Sequence, residues 1–171
     1  MTKHLKITTP IAIAAFTLSA SITLAADVKW DMPMAYSASN YHSENGTQFA
    51  REVTEASGGK LEIVAHPGGS LFKGGEIFRA VRTGQAPIGE RLISALGNED
   101  ALFEIDSLPF LATSFAEARK LYDATKPELQ KVLASKGLTL LYTVPWPPQG
   151  LYAKKEVTSA ADMKGVTFRA Y

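Results

Sequence analysis

Arg169 is the residue whose type and setting in this sequence point most directly to chemistry. It stands in residues 166–170, where apolar Val166 and Phe168 alternate with polar neighbours as they do in a strand fit for burial. A guanidinium on such a strand needs an anionic partner, because a buried charge without one is too costly. That partner is either a carboxylate of the protein or a carboxylate of a ligand. The planar fork of arginine suits a carboxylate better than lysine does.

The residues just before Arg169 predict the turn that positions its strand. Ser159 can cap a short helical turn, and Gly165 can end that turn in the left-handed conformation.

A proline-rich stretch at 145–150 is the best candidate for a domain boundary. Its three prolines stiffen the connection and cannot join the middle of a sheet. It therefore predicts a crossover between a first domain at 27–144 and a second one that begins at 151.

Segments with the hydrophobic pattern of strands alternate with helical segments along the rest of the chain. The predicted strands are 28–31, 60–66, 86–90 and 138–144. The predicted helices are 41–56, 75–83, 114–124 and 127–137. This alternation indicates an α/β fold with a mostly parallel sheet, in which the strand at 138–144 is apolar enough to be buried on both faces.

Particular residues support the helix predictions. Ser114 and Glu117 form a capping box, and Pro127 occupies a first-turn position that opens a further helix. In the helix at 41–56, the side chains of Tyr41, Phe49 and Val53 lie near one face.

The N-terminal segment predicts export. Lys3 and Lys6 form a basic start, the following apolar run carries no charge, and small residues then suit cleavage after Ala26 or Ala25. A membrane anchor is the alternative, which a proline, several hydroxyl residues and the lack of a basic stop-transfer signal weaken. We therefore predict a signal peptide over 1–26 and a periplasmic mature protein.

Composition excludes several classes of protein. The chain has no cysteine, so disulfides and thiolate metal sites are excluded. Without the leader, 16 basic residues stand against 17 acidic ones, a formal charge of −1. No basic cluster indicates a nucleic-acid partner.

Catalytic signatures are missing from the sequence. Beyond the leader, the histidines His42 and His66 have no zinc-ligand spacing, and there is no nucleophile elbow or close carboxylate pair. The glycine-rich run at 68–75 lacks the ending of a phosphate loop and is interpreted as a mobile turn before a helix. We predict a non-catalytic protein with no metal site and no cofactor.

Four stretches, in their order and spacing, resemble the DctP-like substrate-binding proteins of TRAP transporters. They are Lys60-Leu-Glu-Ile-Val-Ala-His-Pro-Gly-Gly69, Ala80-Val-Arg-Thr-Gly-Gln-Ala-Pro-Ile-Gly89, Asp106-Ser-Leu-Pro-Phe-Leu111 and Ala161-Asp-Met-Lys-Gly165. The strand that follows the last of them is similar to the arginine-bearing strand of that family.

The resemblance implies a fold and a function. Members have a periplasmic-binding-protein-like architecture of two α/β lobes with mostly parallel sheets, which close on a ligand like a hinge. Residues 27–144 would form the first lobe, and 151–171 the start of a second lobe that this chain leaves incomplete. Such a protein captures a small organic acid and delivers it to the membrane subunits of a TRAP-type secondary transporter. A periplasmic enzyme or a sensor-input domain of similar fold is the alternative.

The resemblance also implies which residues contact the ligand. The family's arginine at the position of Arg169 holds the ligand carboxylate in a bidentate pair; an interdomain salt bridge is the other interpretation. Gln149 stands where some members carry a second arginine, a departure that favours a smaller or less polar acid. Trp146 is either an anchor in the core or a surface on which the ligand stacks.

Four more candidates carry a structural interpretation beside the functional one. Phe72 and Lys73 belong to the glycine loop that faces the cleft in the family, although Lys73 also fits a solvated surface position. Glu90 ends a strand at a carboxyl edge, where it can receive a ligand hydroxyl or amine or pair with a nearby arginine. Tyr41 either reaches the cleft or staples the first helix, and the same two interpretations hold for the neighbouring His42.

Overall fold

The computed structural model describes residues 26–147 and 150–168. Its regular elements are β1 (Val28–Pro33), α1 (Tyr41–Ala56), β2 (Leu61–His66), α2 (Ile77–Arg82) and α3 (Phe115–Ser135). Short 3₁₀ turns stand at Ile93–Leu96, Ala101–Ser107 and Ala160–Met163. Strands and helices alternate and the two strands are parallel, so the predicted α/β class is confirmed.

The sheet is built around β1. This strand pairs in parallel with β2, and α1 makes the crossover that a parallel pair requires. A parallel bridge joins Met34 to Glu90, whose amide donates to the Pro33 carbonyl at 3.0 Å. The Met34 amide belongs to the same peptide unit as the Pro33 carbonyl and donates to the backbone carbonyl of His66 at 2.9 Å. Because N–H and C=O of a trans peptide point in opposite directions, β1 lies between β2 and the segment ending at Glu90.

The first core lies between α1 and the sheet. Its buried residues are Met32, Met34, Ala50, Ile63 and Ile88, and Trp30, Phe49, Val53, Leu61 and Ala65 pack against them. Asn40 caps the helix, since its side chain accepts a hydrogen bond from the His42 amide at 3.0 Å. The helix approaches the sheet closely at Gly46, where a Cβ would stand 2.6 Å from the sulfur of Met34.

The second core holds the C-terminal half of α3. Its buried residues are Leu96, Phe103, Leu129 and Leu133, and the residues packed against them are Phe78, Ile93, Leu102, Val132, Leu138 and Leu140. Ser114 caps α3 by accepting from the Glu117 amide at 3.3 Å, which confirms the predicted start of this helix.

The prediction of two helices at 114–124 and 127–137 is wrong, because α3 is one helix of 21 residues with Pro127 inside it. An interior proline removes one helical hydrogen bond and costs about 3 kcal/mol. Continuing the helix seats Leu129 and Leu133 in the second core, and their burial offsets that cost. Neither α3 nor any other helix within the described residues is long and apolar enough to cross a membrane.

The segment 138–144 also differs from its prediction. Its residues are alternately half-buried and exposed, with Leu141 57% exposed, so one face is covered rather than two. In the part of the chain that the structure describes, no strand pairs with it. Leu138 and Leu140 pack on the second core, while the ring of Tyr142 lies 4.8 Å from that of Phe49 in the first. The segment is therefore an extended connection between the two cores.

The close packing of α2 on the segment ending at Glu90 predicts a steric effect. Gly89→Ala is expected to destabilise the full-length protein by about 1–3 kcal/mol, measured by chemical denaturation. The added Cβ would stand 2.8 Å from Cγ2 of Ile77 and 2.9 Å from Cγ2 of Val81, and branched side chains on a helix have little rotameric freedom. Gly75→Ala is the matched control, because its Cβ would meet nothing within 4 Å. Equal losses in both variants would contradict this packing.

Candidate functional site

Three chain segments reach the same edge of the sheet at their carboxyl ends. After β1 the chain turns into the N-terminus of α1, after β2 it enters the glycine loop at 67–75, and the third segment ends at Glu90. The amide of Gly68 donates to the carbonyl of Tyr36 at 2.6 Å, and the amide of Gly69 donates to the carbonyl of Met34 at 2.9 Å. Ligands of open α/β sheets bind in the crevice at this edge.

Glu90 stands at this edge with unused hydrogen-bonding capacity. Its side chain is half-buried, and Oε2 is buried without a hydrogen-bond partner among the described residues. Burial raises the pKa of the Glu90 carboxyl. Its charge acts on Tyr142, whose pKa is raised by burial first and by Glu90 second. A carboxyl group in this state is suited to bind a hydrogen-bond donor of a ligand.

Arg91 is a residue of this edge that sequence reasoning missed. Its Nε is buried without a partner among the described residues. The guanidinium runs against the glycine loop, since a Cβ on Gly74 would stand 3.2 Å from Nη1. Its position directly after a predicted strand end was the signal that could have identified it. The consecutive residues Glu90 and Arg91 thus place a carboxyl and a guanidinium group at the sheet edge, each with a buried polar atom that has no hydrogen-bond partner among the described residues.

The glycine loop places its two candidates differently. Phe72 is half-buried, whereas Lys73 is exposed. The ammonium group of Lys73 donates to the carbonyl of Gly69 within the same loop at 3.3 Å. The backbone amide of Lys73 donates to the carboxylate of Glu76 at 2.8 Å. These contacts keep Lys73 in the loop itself, so of the two residues Phe72 has the setting that better suits a ligand contact.

The structure brings Tyr41 and Trp146 together. The Tyr41 hydroxyl donates to the carbonyl of Pro145, and the ring centroids of Tyr41 and Trp146 are 6.2 Å apart. Tyr36 meets Trp146 edge-on at 5.2 Å. The first turn of α1 therefore fastens the proline-rich stretch, a different role from the helix staple considered for Tyr41.

His42, which was considered beside Tyr41 as a cleft residue or a helix staple, completes this aromatic cluster. Its ring is 4.2 Å from that of Trp146 and 4.0 Å from that of Tyr41, centroid to centroid. The residue is 3% exposed, and Nε2 has no hydrogen-bond partner among the described residues. Burial lowers the pKa of His42.

A cavity of about 550 Å³ opens beside this cluster. It is lined by Trp146 and its two flanking prolines, by residues that follow Glu90 and by the apolar segment around Phe110. Polar groups reach it from Ser94, Asp106, Ser107, Thr113 and Ser114. An apolar cavity with a few polar groups is the usual form of a small-molecule site.

Two predicted site residues, Arg169 and Gln149, lie outside the described residues. The turn that precedes Arg169 is described and forms as predicted. The Asp162 carboxylate accepts from the Ser159 amide at 2.8 Å in a capping box, and Gly165 has a φ of 73°.

In open α/β folds, the carboxyl edge of a parallel sheet, where this chain has unfilled polar groups, is the usual place for a small-molecule site. The chain belongs to the DctP family, described as "Bacterial extracellular solute-binding protein, family 7", which it matches over residues 34–171.

Several solved structures are similar to this chain. One is a marine metagenome TRAP solute-binding protein from an unidentified microbe, described as specific for pyroglutamate, with 62% identity and a TM-score of 0.77 over 79% of this chain and 44% of that one. The Bordetella pertussis receptor DctP6, described as binding pyroglutamic acid, has 53% identity and a TM-score of 0.77 over 79% of this chain and 45% of its own. DctP7 of the same organism, also described as binding pyroglutamic acid, has 51% identity and a TM-score of 0.81. That match covers 84% of this chain and 48% of DctP7.

These comparisons confirm the predicted family and two-lobed fold class. They also set the extent of the match, since this chain spans less than half the length of these three chains. The family and these neighbours are solute-binding proteins and extracytoplasmic receptors.

Proposed function

We propose that the full-length protein is an exported, non-catalytic solute-binding protein that captures a small carboxylic acid, and that this acid is pyroglutamate. The observation that carries the proposal is the 62% identity to a protein described as specific for pyroglutamate. The two Bordetella receptors support the same ligand at more than 50% identity.

The chemistry of pyroglutamate matches the candidate residues. Its carboxylate suits the guanidinium of Arg169, the proposed bidentate partner. Its lactam N–H suits the unpartnered Oε2 of Glu90. The small ring offers a face to Trp146, and the uncharged amide of Gln149 can donate or accept at the lactam carbonyl. A single anionic group on the ligand also agrees with glutamine in place of a second arginine.

Transport follows from closure of the cleft. Ligand would bind the open form, and closure would desolvate the pair between Arg169 and the carboxylate. The membrane subunits of a TRAP transporter would then recognise the closed form. The division into a first lobe at 27–144 and a second one from 151 stays a prediction.

A thermal-shift screen of the full-length protein tests the ligand class. A ligand that binds the folded state alone raises stability by about 2.7 kcal/mol at 100 times its Kd. Pyroglutamate is expected to raise Tm by several degrees, and succinate by less. 2-Pyrrolidinone, the same ring without the carboxylate, is expected to have no effect. Equal shifts with 2-pyrrolidinone would contradict carboxylate recognition, and turnover of pyroglutamate would favour the enzyme alternative.

Export gives a second expected result. Mass spectrometry of the protein from the periplasm should find an N-terminus at Asp27 or Ala26, because small residues at the end of the apolar run suit signal peptidase. Recovery from the membrane fraction with Lys3 and Lys6 still present would mean that the segment is an anchor.

A further inference from the structure

Trp146 packs against the ring of His42 and also lines the cavity. Its indole lies 4.2 Å from the imidazole of His42, with an angle of 44° between the ring planes. The residue also lines the cavity next to the sheet edge. Whatever fixes the imidazole therefore fixes the surface that the tryptophan presents to a ligand.

The stack belongs to a longer contact along one face of α1. His42, Asn45 and Phe49 are spaced three and four residues apart, so their side chains line one face of the helix. Asn45 hydrogen-bonds the side chain of Tyr142, and Phe49 meets the ring of the same tyrosine at 4.8 Å. The chain from 142 to 146 thus follows this face, and His42 contacts it at Trp146, within the proline-rich stretch.

The surroundings of His42 suit a neutral ring. The ring of His42 packs against three aromatic side chains. They are Tyr41 from the same helix, Tyr36 from the preceding loop and Trp146 from the proline-rich stretch. Burial is the cause that lowers the pKa of His42. Attraction between an imidazolium and an indole is smaller than the cost of burying an unpaired ion.

We propose that His42 is a positioning residue, which holds Trp146 at the ligand cavity and does so as a neutral imidazole. The inference rests on the proposed function, since it deepens the role of Trp146 in binding a small carboxylic acid. Protonation of His42 places a charge under the indole, breaks the stack and frees the tryptophan. Ligand affinity therefore falls as the medium becomes more acidic than the pKa of His42.

The test uses the full-length protein, with pyroglutamate as the probe. His42→Ala should raise the Kd at pH 7.5 by about tenfold, and His42→Phe should recover most of that loss because phenylalanine restores a ring under the indole. The wild-type Kd should rise as the pH is lowered from 7.5, and it should rise by more than the Kd of His42→Phe, which has no proton to gain. Wild-type affinity in His42→Ala at both pH values would overturn the proposal.

A second readout needs no ligand, so it separates this inference from the proposed function. The emission of Trp146, isolated as the difference from Trp146→Phe, should change in acid because loss of the contact with His42 exposes the indole to a more polar environment. The transition should be absent in His42→Phe and retained in His66→Phe. His66→Phe is the matched control, because the ring of His66 in the wild type pairs with Asp31 at 2.8 Å and not with Trp146. An identical acid transition in His42→Phe and wild type would refute the stack even if pyroglutamate does not bind.

Discussion

Arg169→Lys is expected to weaken pyroglutamate binding to the full-length protein by about 30-fold or more. Breaking a buried, hydrogen-bonded charge pair costs about 2–5 kcal/mol, and each 1.4 kcal/mol is a factor of ten in Kd. Lysine keeps the positive charge but loses the planar pair of donors, so the loss measures the bidentate geometry rather than the charge. The Kd from isothermal titration calorimetry is the quantity to compare.

The matched control for this variant is Arg51→Lys, the same exchange at a side chain that is 67% exposed on α1. Its Kd should equal that of the wild type, because an exposed pair such as that of Arg51 with Glu55 contributes little. An unchanged Kd in Arg169→Lys would refute the proposed role. It would instead favour a salt bridge within the protein, the other interpretation of a guanidinium on a strand suited to burial.

Phe103→Ala is expected to cost about 3–5 kcal/mol of folding free energy. Phe103 is 1% exposed at the centre of the second core, and its ring meets that of Phe78 edge-on at 6.4 Å. Truncation removes the transfer free energy of the ring and leaves a cavity that the surrounding leucines fill incompletely. Such a loss is a large part of the stability of an ordinary domain, so the denaturation midpoint should fall sharply.

Phe110→Ala is the matched control for the core variant, since the Phe110 side chain is 92% exposed. Its effect on the free energy of unfolding should stay within about 0.5 kcal/mol, as for most surface substitutions. Similar losses in both variants would show that Phe103 is not the centre of a separate core. Denaturation followed by circular dichroism gives both values.

Local patterns predicted the first half of the fold well, because the signals there are local. α1 has the predicted bounds of 41–56, and β2 begins one residue after its predicted start. The composition of the buried face of α1 was harder to predict. His42, Ser43, Gly46 and Ala50 form it, and these small or polar residues carry no hydrophobic period.

The wrong predictions came from places where tertiary packing decides. Pro127 carries a sequence signal for a helix start, but the leucines after it belong to the same core as the rest of α3. Residues 138–144 have the composition of an interior strand, yet their contacts are side-chain contacts to two cores. The composition of a segment indicates that it is buried, but it does not indicate which neighbouring residues bury it.

The candidate site was predicted in part. Glu90 was identified from its place at a strand end, and the structure adds the buried, unpartnered oxygen. The pairing of Trp146 with Tyr41 and His42 joins residues about 100 positions apart, which no local pattern contains. The ligand contacts of all these residues remain predictions, and Arg169 and Gln149 lie outside the described residues.

The most direct test of carboxylate capture is a calorimetric titration of the ligand-stripped, full-length protein with pyroglutamate. We expect saturable binding of one molecule per protein, and no measurable heat of binding when 2-pyrrolidinone replaces the acid. Absence of binding by pyroglutamate, in a protein shown to be folded by its cooperative thermal transition, would contradict the proposed function.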